Sequence, residues 1–522
     1  MESSYTKVSE FTIGAGDSTV GYVASVDKFN NWYHTYTEAN RSNAKIVQKT
    51  YVDDTGTDLL LSETTSINGL EVDSVNAEGH VFSKSYDSLG RLELDVDSRT
   101  DMTDDIFTEY AYKSNGQLDY MKESFDTNGL TTSYVYGTSS GYNKGKVIAV
   151  LNDDSKATRY NYDAMGRVTH VWGDVPQPVK YTYNDPFGRK TRMDTYRSGT
   201  FTSSSLPSGF SSAGDKTEWV YDNSSGWLLE KKDNADKKTE FEYTAAGQLA
   251  WKKNPRGFWI NYQYYNPSSP GSDAIPGALH KVVYPSPFNS TASDQYTPDL
   301  EFTYERHGGY KEVKEGNTFN KRKFTYDSNF EVTQEDLASS TSGDFYHSTN
   351  DVINYTYDTT QGFVGRLKTF NYKNATTYEN EYTYDSTGRI AQITNDPSIG
   401  TAFDYTYLSD ANVVESVSHG DYSMDVVYRT DSYRQDTLIT TWDNDPDPDS
   451  VQEYRYTYDG LGRREYEKSK GVVPETLRST YDQWAAKTLY NDRNEVTSYR
   501  LYQMDGSWNP LTSYSIYGTY QT

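Results

Sequence analysis

The chain has 522 residues, with 50 Tyr, 37 Gly, no Cys and only 34% apolar residues. A formal charge of −25 argues against nucleic-acid binding through basic patches. The absence of Cys excludes a disulfide scaffold and thiol catalysis.

The heavy aromatic content marks a folded chain rather than a disordered one. Tyr carries a large ring with one polar end, so it suits a sheet packed on one side and wet on the other. Met1-Glu2-Ser3-Ser4-Tyr5 lacks the basic-then-apolar start of a signal peptide. The opening fits either an intracellular protein or an excised fragment of a secreted or cell-surface protein with an added Met, and the uncapped repeats favour the fragment. No run approaches a membrane-spanning helix, the longest apolar stretch lying around Val147 to Leu151.

Turn-like sequences begin at Tyr51-Val52-Asp53-Asp54-Thr55-Gly56 and Asn76-Ala77-Glu78-Gly79. A doublet, aromatic-x-Tyr, then recurs at Tyr110/Tyr112, Tyr134/Tyr136, Tyr160/Tyr162, Tyr181/Tyr183, Trp219/Tyr221, Phe241/Tyr243 and Tyr262/Tyr264. It continues at Phe302/Tyr304, Phe324/Tyr326, Tyr355/Tyr357, Tyr382/Tyr384, Tyr405/Tyr407 and Tyr456/Tyr458. A spacing of two puts both rings on one face of a strand, whereas a helix would set them on nearly opposite sides. The doublet therefore predicts strands.

Several doublets run into Asp-x-x-Gly-Arg. The clean copies are Tyr86-Asp87-Ser88-Leu89-Gly90-Arg91, Tyr162-Asp163-Ala164-Met165-Gly166-Arg167, Tyr384-Asp385-Ser386-Thr387-Gly388-Arg389 and Tyr458-Asp459-Gly460-Leu461-Gly462-Arg463. Tyr183 to Arg189 carries one extra residue, and looser copies end at Gly116-Gln117-Leu118 and Gly247-Gln248-Leu249. The Asp can accept hydrogen bonds from the backbone two or three residues on, and the Gly can take the positive φ that finishes a turn. The recurrent Asp and Arg thus read as a turn former and a cross-strand ion-pair partner. Asp126-Thr127-Asn128-Gly129 and Asn254-Pro255-Arg256-Gly257 supply a second kind of turn between hairpins. Tyr162 to Tyr183 spans 21 residues and Tyr221 to Tyr243 spans 22, a period that marks stacked repeats.

Three stretches break the pattern, near 197–216, 266–298 and 337–350. All are rich in Ser, Gly, Thr or Pro and read as surface loops. Trp251, Phe258 and Trp259 cluster with Lys252, Lys253 and Arg256, which would suit a platform for an acidic polysaccharide. Packing between hairpins is the competing reading of such rings. Asp443, Asp445, Asp447 and Asp449 alternate with Asn444, Pro446 and Pro448, a candidate Ca²⁺ loop without the Gly and distal Glu of an EF-hand. A solvated acidic loop is the competing reading there, so no cofactor other than Ca²⁺ is expected. His34, His80, His170, His280, His307, His347 and His419 are scattered, with no short metal-ligand spacing. The chain holds no P-loop, His-Glu-x-x-His, Gly-x-Ser-x-Gly or dinucleotide glycine pattern.

These motifs resemble the Rhs or YD-repeat family, whose unit is roughly Asp-x-x-Gly-x-x-Thr-x-Tyr-x-Tyr-Asp-x-x-Gly-Arg-Leu. The match covers about residues 80–465, with degenerate repeats over 1–79 and 466–522. The resemblance implies an all-β, elongated spiralling sheet of antiparallel hairpins that forms a hollow shell, here open or partial. In toxin complexes and Rhs effectors such a shell encloses a toxic C-terminal segment, and in teneurin-like relatives it serves adhesion. No Pro-rich closing segment like that of the effectors is found up to Trp508-Asn509-Pro510 and the Tyr-rich tail, so toxin-releasing chemistry is either absent or lies outside this sequence.

The expected function is a secreted bacterial scaffold for encapsulation, adhesion or interaction, its partner being its own C-terminal segment or another protein. A carbohydrate-binding module and a polysaccharide-degrading enzyme are the alternatives. For the last, the carboxylates are too numerous to single out a pair.

Overall fold

A computed structural model describes residues 8–13, 18–27, 31–40, 43–52, 59–98, 105–126, 128–266, 268, 274–284, 297–316, 320–338, 351–360, 364–372, 379–395, 402–409, 411–442, 451–471, 483–504, 508 and 517–518. These residues form 39 β-strands, from Val8–Ile13 to Tyr517–Gly518. The one helical element among them is a single 3-10 turn at Ser208–Ser211. Every strand pairs antiparallel with the strand before it and the strand after it, so the whole is one meander. Among the described residues the first strand pairs with the second and the last with its predecessor, so the sheet stays open and is not a barrel.

The repeat motif explains the hairpins. In the first clean copy the Asp87 N–H donates to the Arg91 carbonyl at 2.9 Å, and the Gly90 N–H to the Asp87 carbonyl at 2.9 Å. Gly90 sits at φ +76°, and the register slips by one residue at Tyr86. This is a type I turn closed by a left-handed glycine, the G1-bulge loop. The copies at Asp163, Asp385 and Asp459 repeat both hydrogen bonds and the register slip. Such bulges increase the right-handed twist of the strand that carries them. The accumulated twist coils a long sheet.

The coiling is complete enough for the strip to meet itself. Asn31 donates to the Val364 carbonyl, Tyr433 to Asp97, Lys156 to Asp492 and Arg493 to Gln177, pairs 316 to 336 residues apart. Asp97 lies in the eighth strand, Leu92–Ser98, and Tyr433 follows the thirty-third, Tyr422–Tyr428, so this contact closes one wrap after 25 strands. Beyond that point the later strands run alongside the earlier ones.

The strip has two edges. One carries the Asp-x-x-Gly-Arg turns, here called the YD edge; the other carries the remaining turns, here called the plain edge. In each contact the YD edge of the later wrap rests on the plain edge of the earlier one.

The sheet is one layer thick over most of its length. Its accessible area is 31052 Å² for a 59.4 kDa chain. A compact protein of that mass would expose only about 19,000 Å².

The expected loops need correction. The 266–298 stretch contains a strand, Leu279–Val283, whose Val282 is buried. The 197–216 stretch is largely loop, yet its Phe201 and Phe210 are buried against Trp172 and Tyr196 from the neighbouring strands. Of 337–350, Leu337 and Ala338 end a strand and the remainder lies outside the described residues.

Candidate functional site

Each clean repeat turn is a small electrostatic device. Asp87 Oδ1 accepts the backbone N–H groups of Leu89 at 2.9 Å and Arg91 at 3.0 Å, and its Oδ2 accepts Arg91 Nε at 2.7 Å. The donors are thus two and four residues on, not two or three. Asp163, Asp385 and Asp459 repeat the set. The ion pair therefore spans the mouth of a single hairpin.

Held this way, each guanidinium lies over a Tyr of the next hairpin. Arg91 covers Tyr112 at 4.4 Å, Arg167 covers Tyr183 at 4.4 Å and Arg389 covers Tyr407 at 4.5 Å. Those phenols donate back to the carbonyls of Leu92, Val168 and Ile390 at 2.8–2.9 Å, the residues that follow each Arg. The second donor of Arg167 reaches the Gly188 carbonyl of the next turn at 3.1 Å. Gln117 and Gln248 make the same reach to Gly145 and Gly277, which accounts for Gln standing in the looser copies. Each turn is therefore keyed to the next along the YD edge.

The keyed carboxylates predict an acid response. Hydrogen bonding from Arg189 holds Asp185 down at about 2, and hydrogen bonding from Arg91 lowers Asp87. A depressed folded pKa contributes stability that is present above the unfolded value of 3.8 and lost as pH falls toward 2. Circular dichroism should show the strip losing stability over that window, and an Asp185→Asn variant should lose less of it.

The seam between wraps is the second ordered site. Phe125, on the plain edge, is 2% exposed. Arg429 and Arg434 of the later wrap lie 5.0 and 4.7 Å from its ring, and Tyr458 meets it edge-on at 6.4 Å. Arg429 donates to Asp431 at 2.7 and 2.8 Å and also to Asp126. The Asp126 N–H donates to Asp431 in turn, at 2.5 Å. Further along, buried His80 pairs with Asp97, which accepts Tyr433 Oη at 3.0 Å. A cavity of about 410 Å³ lies where Asp174, Tyr196 and Arg197 face Asn491, Asp492 and Arg493 across the seam.

The other candidates are placed as follows. Trp251 and Trp259 pack at 4.1 Å with their planes tilted by 59°, and Lys253 Nζ lies 4.7 Å from the Trp259 ring. Lys253 pairs with Trp259 and Lys252 with Ile260, so strand alternation puts Lys252 on the opposite face. Arg256 sits in the turn capped by Asn254, and Phe258 follows it. Asp443, Asp445, Asp447 and Asp449 lie outside the described residues. Among the described residues no group of three or more His, Asp or Glu is placed to hold a metal. His34, His280, His307 and His419 stack on aromatic rings, and His170 meets Phe210 edge-on.

No protein-family model matches the sequence, and no curated protein matches it. Solved structures do match. The crystal structure of TcdB2-TccC3-TEV aligns over 91% of this chain at 14% identity, with a TM-score of 0.53. That of TcdB2-TccC3-Cdc42 aligns over 93% at 11% identity, with a TM-score of 0.52. The shell of these complexes is built of Rhs/YD repeats. The fold is the YD-repeat fold. The chain spans 26% of the length of each of those two. Within the YD-repeat strip the sequence had marked the turn residues, Asp126 among them, but not the seam partners Phe125, Arg429, Asp431 and Tyr433. Their partners are too distant in sequence for a local pattern to join them.

Proposed function

We propose that this chain is a wall segment of a secreted bacterial shell, a scaffold that encloses or displays polypeptide and has no active site of its own. The observation that carries this reading is the strip that wraps past one full turn and meets itself edge to edge. A single-layer wall gains nothing from a filled core, in keeping with its large accessible area. The Asp and Arg most visible in the sequence are used once per turn in the same way, which fits construction rather than chemistry.

Small-angle X-ray scattering separates a wall from a filled domain. A compact 522-residue domain would have a radius of gyration of about 24 Å. The wall reading expects a clearly larger value and a hollow distance distribution, and a value near 24 Å would overturn it. A guest polypeptide fused to the C-terminal end then distinguishes the two uses. Protection of the guest from protease supports enclosure, and cleavage at the free rate supports display.

A further inference from the structure

The seam is heterologous, with a YD edge of the later wrap set on a plain edge of the earlier one. A strip that meets itself this way leaves one edge of each kind uncovered. Among the described residues nothing lies against the YD edge of the first wrap, and nothing lies against the plain edge of the last wrap.

The exposed apolar residues follow this division. Six large apolar side chains among the described residues are more than half exposed: Leu89 at 74%, Tyr142 at 62%, Met165 at 75%, Phe187 at 62%, Phe330 at 52% and Trp442 at 57%. The first five lie in YD-edge turns of the first wrap, and Trp442 lies on the plain edge of the last. Leu461 occupies the same motif position as Leu89 and Met165, but in a turn that the seam covers, and it is half-buried. Leu130 of the earlier wrap approaches that turn so closely that a Cβ on Gly462 would meet its Cδ1 at 3.2 Å. Isolated exposed apolar residues are ordinary, but a row confined to one rim marks a contact surface.

We propose that the free YD rim, centred on Leu89, Met165 and Phe187, docks the free plain rim of a second copy of this chain, with Trp442 in the role that Phe125 has in the internal seam. The occupant follows from continuity with that seam. Inside the chain, what covers a YD rim is a plain rim, and the chain's own last wrap offers one. The contact is head-to-tail, so each copy added leaves a fresh rim of each kind, and stacks grow rather than closing as dimers. This rests on the seam geometry and stands whether or not the wall encloses a guest.

Sedimentation velocity and light scattering over about a hundredfold concentration range test the idea. The wild-type chain should rise above its 59.4 kDa monomer mass as concentration increases. L89D/M165D, blocking one rim, and W442D, blocking the other, should each stay monomeric with unchanged circular dichroism and melting temperature. Mixed together, the two variants should form a dimer and stop there, because each supplies the rim the other lacks. Monomer mass for the wild type at every concentration would overturn the proposal. So would association of either variant alone at wild-type strength, or a mixture that fails to pair.

Discussion

Replacing Arg429 with Ala should loosen two turns about 300 residues apart at the same time. Arg429 joins Asp431 and Asp126 and covers the ring of Phe125, all within the seam. The substitution removes three charge-assisted hydrogen bonds and leaves Asp431 and Asp126 facing each other uncompensated. Hydrogen bonds to charged groups contribute about 1.5–3 kcal/mol each when buried. Arg429 keeps 21% of its side chain in water and Asp126 keeps 56%, so screening reduces the total. A net loss of about 2 kcal/mol would raise the local opening equilibrium about thirtyfold.

Hydrogen–deuterium exchange reads this directly. Amides in 124–130 and in 429–434 should both exchange faster, while the turns around Asp163 and Asp385 stay unchanged. Arg189→Ala is the matched control. It removes another turn Arg on the YD edge, away from the seam, where Arg189 pairs with Asp185 and lies over Tyr221. Its effect should stay within its own and the next hairpin. Faster exchange confined to 429–434 in Arg429→Ala would mean that the wraps do not touch.

The contrast between these two arginines shows what the sequence could and could not reveal. Arg189 belongs to a motif whose partners are four residues away and one hairpin on, so a repeat pattern exposes them. Strand faces were legible for the same local reason. Rings two apart share a face, and the residue between them, such as Val135 or Val220, faces water.

Arg429 follows a doublet-like Val426-x-Tyr428, yet its Asp126 partner is set by the pitch of the spiral, which no short window contains. Asp126-Thr127-Asn128-Gly129 looks like an ordinary turn. In the fold Asp126 sits at φ +48°, the Gly129 N–H bonds to the Phe125 carbonyl, and the Asp126 carboxylate is taken by Arg429. The Trp251 cluster divides for a simpler reason. Neighbours in sequence need not be neighbours in space, and strand alternation sends Lys252 to the face opposite Trp251 and Trp259.

The Ser/Gly-rich stretch near 197–216 conceals the other large effect. Its composition reads as solvated loop, yet Phe201 and Phe210 fold back to form, with Trp172 and Tyr196, the one cluster of buried side chains recognised among the described residues. Phe210 is the hub: it meets Phe201 at 4.8 Å, Tyr196 at 5.1 Å, Trp172 at 6.3 Å and His170 at 4.8 Å. Phe210→Ala should cost about 3–5 kcal/mol, the range for emptying a buried aromatic site. The loop would then be loosened, since its remaining ties to the sheet are the Trp172 Nε1 bond to the Ser203 carbonyl at 2.9 Å, the Tyr196 Oη bond to the residue-210 carbonyl at 3.3 Å and the packing of Phe201 on Tyr196. Protease should cut within 198–212 in the variant and leave the wild type intact there.

The same substitution should change the pH dependence. Burial, aided by Lys180, pushes His170 down from 6.5 to about 4. Between those values the unfolded chain holds the extra proton, so wild-type stability falls as pH drops from 6.5 to 4 and this contribution is neutral above 6.5. Opening the cluster returns His170 toward water and toward 6.5. The imidazole titration, followed by NMR, should therefore move up in Phe210→Ala, and the variant's stability should depend less on pH across that window. A titration midpoint unchanged from wild type would show that Phe210 does not shield His170, and with it that the loop does not close over the sheet.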